Sequence, residues 1–162
     1  QFGFGASRRR QSIRARVSQR GRRMSDTSEQ LDALLSRIPY ARYLGMRAEL
    51  AGDEMTAILP FAPHLIGNPT LPAIHGGVLG AFMEMTALAQ ISIMQGLTRQ
   101  PRPIDISVEY LRPARPLTTY ARAEIRKIGR RIANVHVEAW QETRANPITL
   151  LRGHFLLSPK ED

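Results

Sequence analysis

Between residues 68 and 85 the chain reads Asn68-Pro69-Thr70-Leu71-Pro72-Ala73-Ile74-His75-Gly76-Gly77-Val78-Leu79-Gly80-Ala81-Phe82-Met83-Glu84-Met85. His75 stands where a turn-rich loop meets a long apolar stretch, and two glycines follow it. Glycine in a helix costs roughly 0.8–1 kcal/mol relative to alanine. One reason to accept that cost is access. Backbone N–H groups at a helix start point outward with the positive end of the dipole, and glycine lets a ligand oxygen approach them closely. Such donors can form an oxyanion hole for acyl transfer; the plainer alternative is a glycine turn that needs positive φ. Glu84 is the only charged side chain from Val78 to Met94. An unpaired carboxylate in a buried helix is expensive, so it either pairs with an arginine from a strand or has a function. His75 and Glu84 are nine residues apart, about 14 Å along a helix. If both serve one reaction, they must meet across two subunits.

The elements that would position these groups follow from periodicity and punctuation. Ser28 with Glu29 and Gln30 behind it reads as a helix start, and Leu31, Leu34, Leu35 and Ile38 recur at helical spacing before Pro39. Residues 41–50 and 53–60 read as two strands joined by a turn at Ala51-Gly52-Asp53. A loop over 61–74 is rich in proline, glycine and asparagine. Residues 76–97 are too long and apolar for a strand and predict one central helix closed by Gly96. Thereafter the period is two: Ile104, Ile106, Val108 and Tyr110 mark one face of a strand running up to Arg112-Pro113. Strands are predicted over 117–128 and 132–142, around a Gly129-Arg130-Arg131 turn, and over 148–157. Short turns predict an antiparallel sheet, and the apolar helix is buried only if that sheet curls around it, an α+β layout. Its edge strands invite pairing with a second copy.

The 162 residues fit one domain, and an apolar fraction of 43% suffices for a core. The chain has no cysteine, which excludes disulfides, thiolate zinc sites and a cysteine nucleophile. Neither a membrane-spanning run nor a signal peptide is expected, and a cytoplasmic protein is the default reading. The net charge of +9 is local. Eight arginines and no acid fall within residues 1–23, and the rest is close to neutral. That tail reads as disordered on its own. It could hold an anionic partner through phosphate contacts or act as a targeting peptide. The favoured reading is an upstream extension, with the native start at Met24 and a single domain over 24–162.

His75-Gly76-Gly77 with an acid nine residues after the histidine on a central helix, followed by a strand ending Tyr110-Leu111-Arg112-Pro113, resembles the hotdog-fold acyl-CoA thioesterases. The nearest branch holds the phenylacetic-pathway thioesterases and the 4-hydroxybenzoyl-CoA thioesterase that uses glutamate. The resemblance covers about residues 40–160. It implies a hotdog fold, a curved antiparallel sheet wrapped around one long central helix, forming a homodimer and often a dimer of dimers. It implies an acyl-CoA substrate hydrolysed to free acid and CoA, with no metal or redox cofactor. Glu84 would be general base or nucleophile, Gly77 would supply the oxyanion N–H, and His75 would support the loop and thioester. Asn68 would orient the carbonyl or water, although it precedes the histidine by seven residues where six is commoner. Relatives place a Ser or Thr near the attacking water; here Leu88 stands one turn after the acid, and Thr86 and Ser92 are the nearby hydroxyls.

Substrate contacts are expected from Gly76 and Phe82, with methionines making an adaptable pocket. Arginines hold the phosphates of coenzyme A, with Arg130 and Arg131 as candidates. His136 and His154 read as sheet-face residues rather than metal ligands. Two rivals remain. One is a hotdog dehydratase or hydratase, suggested by His64 and the Glu84-Ala87-Gln90 spacing. The other is a non-catalytic acyl-CoA sensor; nucleic-acid binding through the tail has no recognisable reading motif behind it.

Overall fold

The computed structural model describes residues 28–96 and 100–157. The basic tail over 1–23 and the Met24 start lie outside the described residues. Helix α1 runs over 28–37 and buries Leu31 and Leu35. Pro39 ends it, because a residue before proline is pushed from the helical region, and Ile38 is extended at φ −87°, ψ 108°. Pro39 then starts a second helix, α2 (Pro39–Leu44), at the position where proline's fixed φ suits a first turn. Gly45 closes α2 in the left-handed conformation, φ +67°, with Met46 N–H donating to the Ala41 carbonyl at 2.9 Å. The strand expected from residue 41 therefore begins only at Arg47.

Strands β1 (Arg47–Ala51) and β2 (Glu54–Leu59) form a hairpin around Gly52, φ +68°. A short 3-10 turn over Pro63–Leu65 and a small hairpin of β3 (Ile66–Asn68) and β4 (Ala73–Ile74) occupy the expected loop. The central helix α3 (Gly76–Met94) follows, and the chain turns away at Gly96, φ +74°. Strands β5 (Arg102–Tyr110), β6 (Thr119–Ile128), β7 (Ile132–Trp140) and β8 (Thr149–Leu156) complete a six-stranded antiparallel sheet in the order β1-β2-β6-β7-β8-β5. This is the α+β hotdog arrangement the sequence led us to expect.

The sheet alternates as a half-covered sheet should. Ala133, Val135, Val137 and Ala139 of β7 face the core, and His136 is exposed on the outer side. Alanines on the inner face at 57, 121, 133 and 139 leave room for the bulkier Phe82, Met83 and Ile91 of α3. With 19 residues and a mean hydropathy of 1.4, α3 is by length and composition alone long enough to cross a bilayer, contrary to the sequence expectation; here it is the core helix.

Edge strand β5 differs from the expectation in one respect. Its apolar side is real but uncovered: Ile104 is 54% exposed and Tyr110 56%, and only Val108 is half-buried against the core.

Candidate active site

His75 is fixed from three directions. Its N–H donates to the Leu65 carbonyl at 2.8 Å, and the preceding Ile74 N–H donates to the Ala114 carbonyl at 2.8 Å. Its ring lies against Gly67, where an added Cβ would come 2.6 Å from His75 Cβ and Cδ2. The ring also caps α3: Gly77 N–H donates to His75 Nδ1 at 2.9 Å. A histidine thus does the work usual for Ser, Thr or Asp at a helix start. Accepting at Nδ1 uses that lone pair, so the neutral ring carries its proton on Nε2 as a donor.

The Gly77 amide is therefore already engaged by His75, where the sequence led us to expect a donor facing substrate. Gly76 is the first helical residue and has no helical carbonyl behind it to take its N–H. Tyr110 packs over it: a Cβ on Gly76 would lie 3.1 Å from the phenol ring, and the hydroxyl donates to the Gly76 carbonyl at 2.8 Å. Asn68 is exposed, and its Oδ1 accepts from Thr70 N–H at 3.0 Å and Leu71 N–H at 3.3 Å. Those bonds close the tip of the β3–β4 hairpin, leaving the side-chain NH2 as the polar group Asn68 can offer outward.

Glu84 is half-buried in the wall of a cleft of about 290 Å³, with Leu34 and Ile38 of α1, Tyr40 of α2, and Leu88 and Ser92 of α3. Burial pushes its carboxyl above the ordinary value of 4.5. Among the described residues no arginine, lysine or histidine pairs with it, so the pairing alternative has no support there. Thr86 is buried and donates its hydroxyl back to the Phe82 carbonyl at 2.8 Å. Ser92, on the Glu84 face, donates to the Leu88 carbonyl at 2.8 Å. Phe82 is fully buried in the core, so the expected substrate contact would require the core to open.

Arg130 and Arg131 are exposed at the β6–β7 turn and line a separate cleft of about 590 Å³ with Arg126, Lys127, Asn134 and His154. Nothing in that cleft is shared with the one at Glu84. His154 is held between Asp105 and Asn134, each at 2.9 Å, on the outer face of the sheet. Among the described residues no three His, Asp or Glu side chains converge on one point. The dehydratase rival loses its residues to structure. Gln90 ties down the β1–β2 turn, accepting from Met55 N–H at 3.0 Å and donating to the Asp53 carbonyl at 2.8 Å, and His64 packs on Tyr43 at 4.8 Å. The sequence reading missed Gly67, because only the fold brings it against His75. It also missed the α1 wall of the Glu84 cleft.

A family model described as the Thioesterase superfamily matches residues 71–148, from the β3–β4 hairpin through α3 to the approach to β8. The medium/long-chain acyl-CoA thioesterase YigI of Escherichia coli K12 is 29% identical over 121 residues, covering 65% of this chain and 77% of YigI. A crystal structure of a Chromobacterium violaceum protein is 34% identical with a TM-score of 0.66, covering 85% of this chain and 100% of that one. The Escherichia coli PaaI protein of the phenylacetic acid degradation operon shares the fold, with a TM-score of 0.71 over 83% of this chain and 96% of its own, at 16% identity. The segment that the family model matches contains His75 and all of α3 with Glu84, and together with the hotdog fold and the likeness to YigI it marks the chain as a thioester hydrolase.

Proposed function

We propose that the protein hydrolyses acyl-CoA thioesters to free acid and coenzyme A, with Glu84 as the group that activates water or attacks the carbonyl. The observation that carries this reading is the Glu84 carboxylate itself. It is the one charge on α3, it lies in an apolar cleft, and burial raises its proton affinity with no cation beside it among the described residues. A carboxylate of raised pKa is a stronger base than an exposed one. The likeness to YigI supports acyl-CoA as the substrate.

The oxyanion donors in this reading come from the start of α3. Gly76 N–H takes the thioester oxygen, His75 Nε2–H stands beside it, and the Gly77 amide holds the imidazole in the required tautomer. About 14 Å of helix separates these groups from Glu84, so the working site pairs the donors of one subunit with the Glu84 of another. The uncovered apolar side of β5 offers the seam for a homodimer, because an unpaired strand edge accepts a second strand. Asn68 orients the substrate through its NH2, and Arg130 and Arg131 hold the coenzyme A phosphates as charge-assisted partners.

The test is release of free thiol from a panel of acyl- and aryl-CoAs by the wild type and by Glu84→Gln. Turnover by the wild type and its loss by about 10² or more in the folded variant are expected, the size typical of an acid–base group. Unchanged turnover in Glu84→Gln would remove Glu84 from the reaction.

A further inference from the structure

The cleft beside Glu84 has a shape and a composition that the hydrolysis alone does not require. Ala81, Met85, Leu88, Ala89 and Ser92 line it along with Glu84, so it follows α3 lengthwise, and Glu84, Leu88 and Ser92 succeed one another at four-residue spacing on one face. The Ser92 hydroxyl directs its proton to the Leu88 carbonyl rather than into the cleft. The rest of the lining is Leu34 and Ile38, also four residues apart, on α1, with Tyr40 of α2 and Gln100. Leu34 and Ile38 are only partly buried although they pack against the core, whereas Leu31 and Leu35 of the same helix are nearly inaccessible. Close packing is the rule for such a helix pair. Here it is interrupted by an apolar space of about 290 Å³ with a carboxylate in its wall.

We propose that this cleft takes the hydrocarbon chain of a medium-length acyl group, and that Leu34 and Ile38 of α1 set which chain lengths are accepted. The inference rests on the reading of Glu84 as the group that acts on the thioester. From Glu84 to Ser92 is eight residues, or about 12 Å of helix. A zigzag chain of C–C bonds near 1.5 Å advances about 1.25 Å per carbon, so the cleft accommodates roughly nine or ten carbons beyond the carbonyl. Helix α1 lies outside the residues the family model matches, so length selection is supplied by a part of this chain that the shared catalytic segment does not contain.

The experiment measures kcat/KM for saturated acyl-CoAs from C2 to C16 with the wild type, Leu34→Trp, Leu34→Ala and Ile38→Ala, each checked for folding by circular dichroism. Burying one CH2 is worth about a fourfold gain, so the wild-type value should climb by about that factor per carbon and level off near C10. Leu34→Trp should lose about tenfold or more on decanoyl-CoA while butyryl-CoA stays within about twofold. The alanine variants should move the optimum to longer chains. Length profiles of the folded variants that superimpose on the wild type overturn the proposal, even with hydrolysis intact. If the wild type cleaves no acyl-CoA, the reading of the reaction fails instead. The cleft is then tested by titrating the wild type, labelled at Leu and Ile methyls, with a decyl-CoA thioether. Shifts at Leu34, Ile38 and Leu88 support the pocket, and their absence overturns it. The same titration decides the matter if none of the variants folds.

Discussion

Tyr110, at the end of edge strand β5, donates its hydroxyl to the backbone carbonyl of Gly76, the first residue of α3, across 2.8 Å. The bond joins the strand whose apolar side is uncovered to the helix start that carries the candidate oxyanion donors. A partner that pairs with the Tyr110 end of β5 is thereby brought close to Gly76 and its neighbour His75. The phenol ring also fills the space that a Cβ on residue 76 would need, 3.1 Å away.

Tyr110→Phe keeps the ring and removes the hydrogen bond. Loss of an exposed bond of this kind costs about 1 kcal/mol or less, so thermal unfolding should shift by only a few degrees. The Gly76 carbonyl then has one restraint fewer, and turnover should fall severalfold, more in kcat than in KM. Measuring both constants beside the melting temperature checks this. Unchanged kcat would show that the helix start holds its geometry without Tyr110.

The period-two strands, the turns at Gly52 and Gly129, and the long helix were legible because each is a local signal. Helix α2 was not, since Tyr40, Tyr43 and Leu44 also suit a strand; only Pro39 at its start and Gly45 at its end carry the information. The pattern Ile104, Ile106, Val108, Tyr110 announces an apolar face but cannot say whether one chain covers it. At the site, His75, the glycines and Glu84 stood out by residue type. The engagement of Gly77 by His75 did not, because histidine is an unusual helix cap and its ring orientation depends on Gly67, eight residues earlier. Contacts of this kind exist only after the hairpin has closed.

Gly67→Ala tests that contact. The new Cβ would lie 2.6 Å from His75 Cβ and 2.8 Å from its Cα, so backbone as well as side chain must move. Overpacking of this sort costs about 1–3 kcal/mol, and the displaced ring gives up its bond to Gly77. A lowered melting temperature should accompany a fall in kcat of about tenfold or more, as expected when a positioning contact is lost. Gly52→Ala is the control. There φ is +68° with nothing within 4 Å, so the variant should lose about 1–2 kcal/mol of stability and keep its turnover. Equal effects of the two substitutions on kcat would show that Gly67 matters only for folding.

Glu84 links activity and stability to pH in opposite senses. Its folded pKa is raised above 4.5 by burial. Between 4.5 and that raised value the folded protein binds more protons at this site than the unfolded chain does. The carboxylate therefore lowers stability as pH climbs through the window, and the penalty is fully present above it. Turnover should rise over the same window as the base loses its proton. Glu84→Gln should accordingly melt at a temperature equal to or above the wild type at pH 8, an advantage that disappears near pH 4. A variant less stable than the wild type at pH 8 would mean that the carboxylate has a favourable partner in the assembled protein.

The final prediction concerns the division of the site between subunits. Because about 14 Å of helix separates His75 from Glu84, His75→Ala and Glu84→Ala should complement each other when mixed. Each variant alone is expected to be nearly inactive. Unfolded together and refolded, random pairing makes about half of the dimers mixed, and each mixed dimer holds one site with both lesions and one with neither. Roughly a quarter of all sites should therefore recover, provided distant lesions act independently. Differently tagged subunits allow the mixed dimers to be isolated and assayed directly. Mixed dimers that form and stay inactive would place the donors and the carboxylate in separate roles. They would then leave the uncovered side of β5 without a catalytic reason to meet its copy.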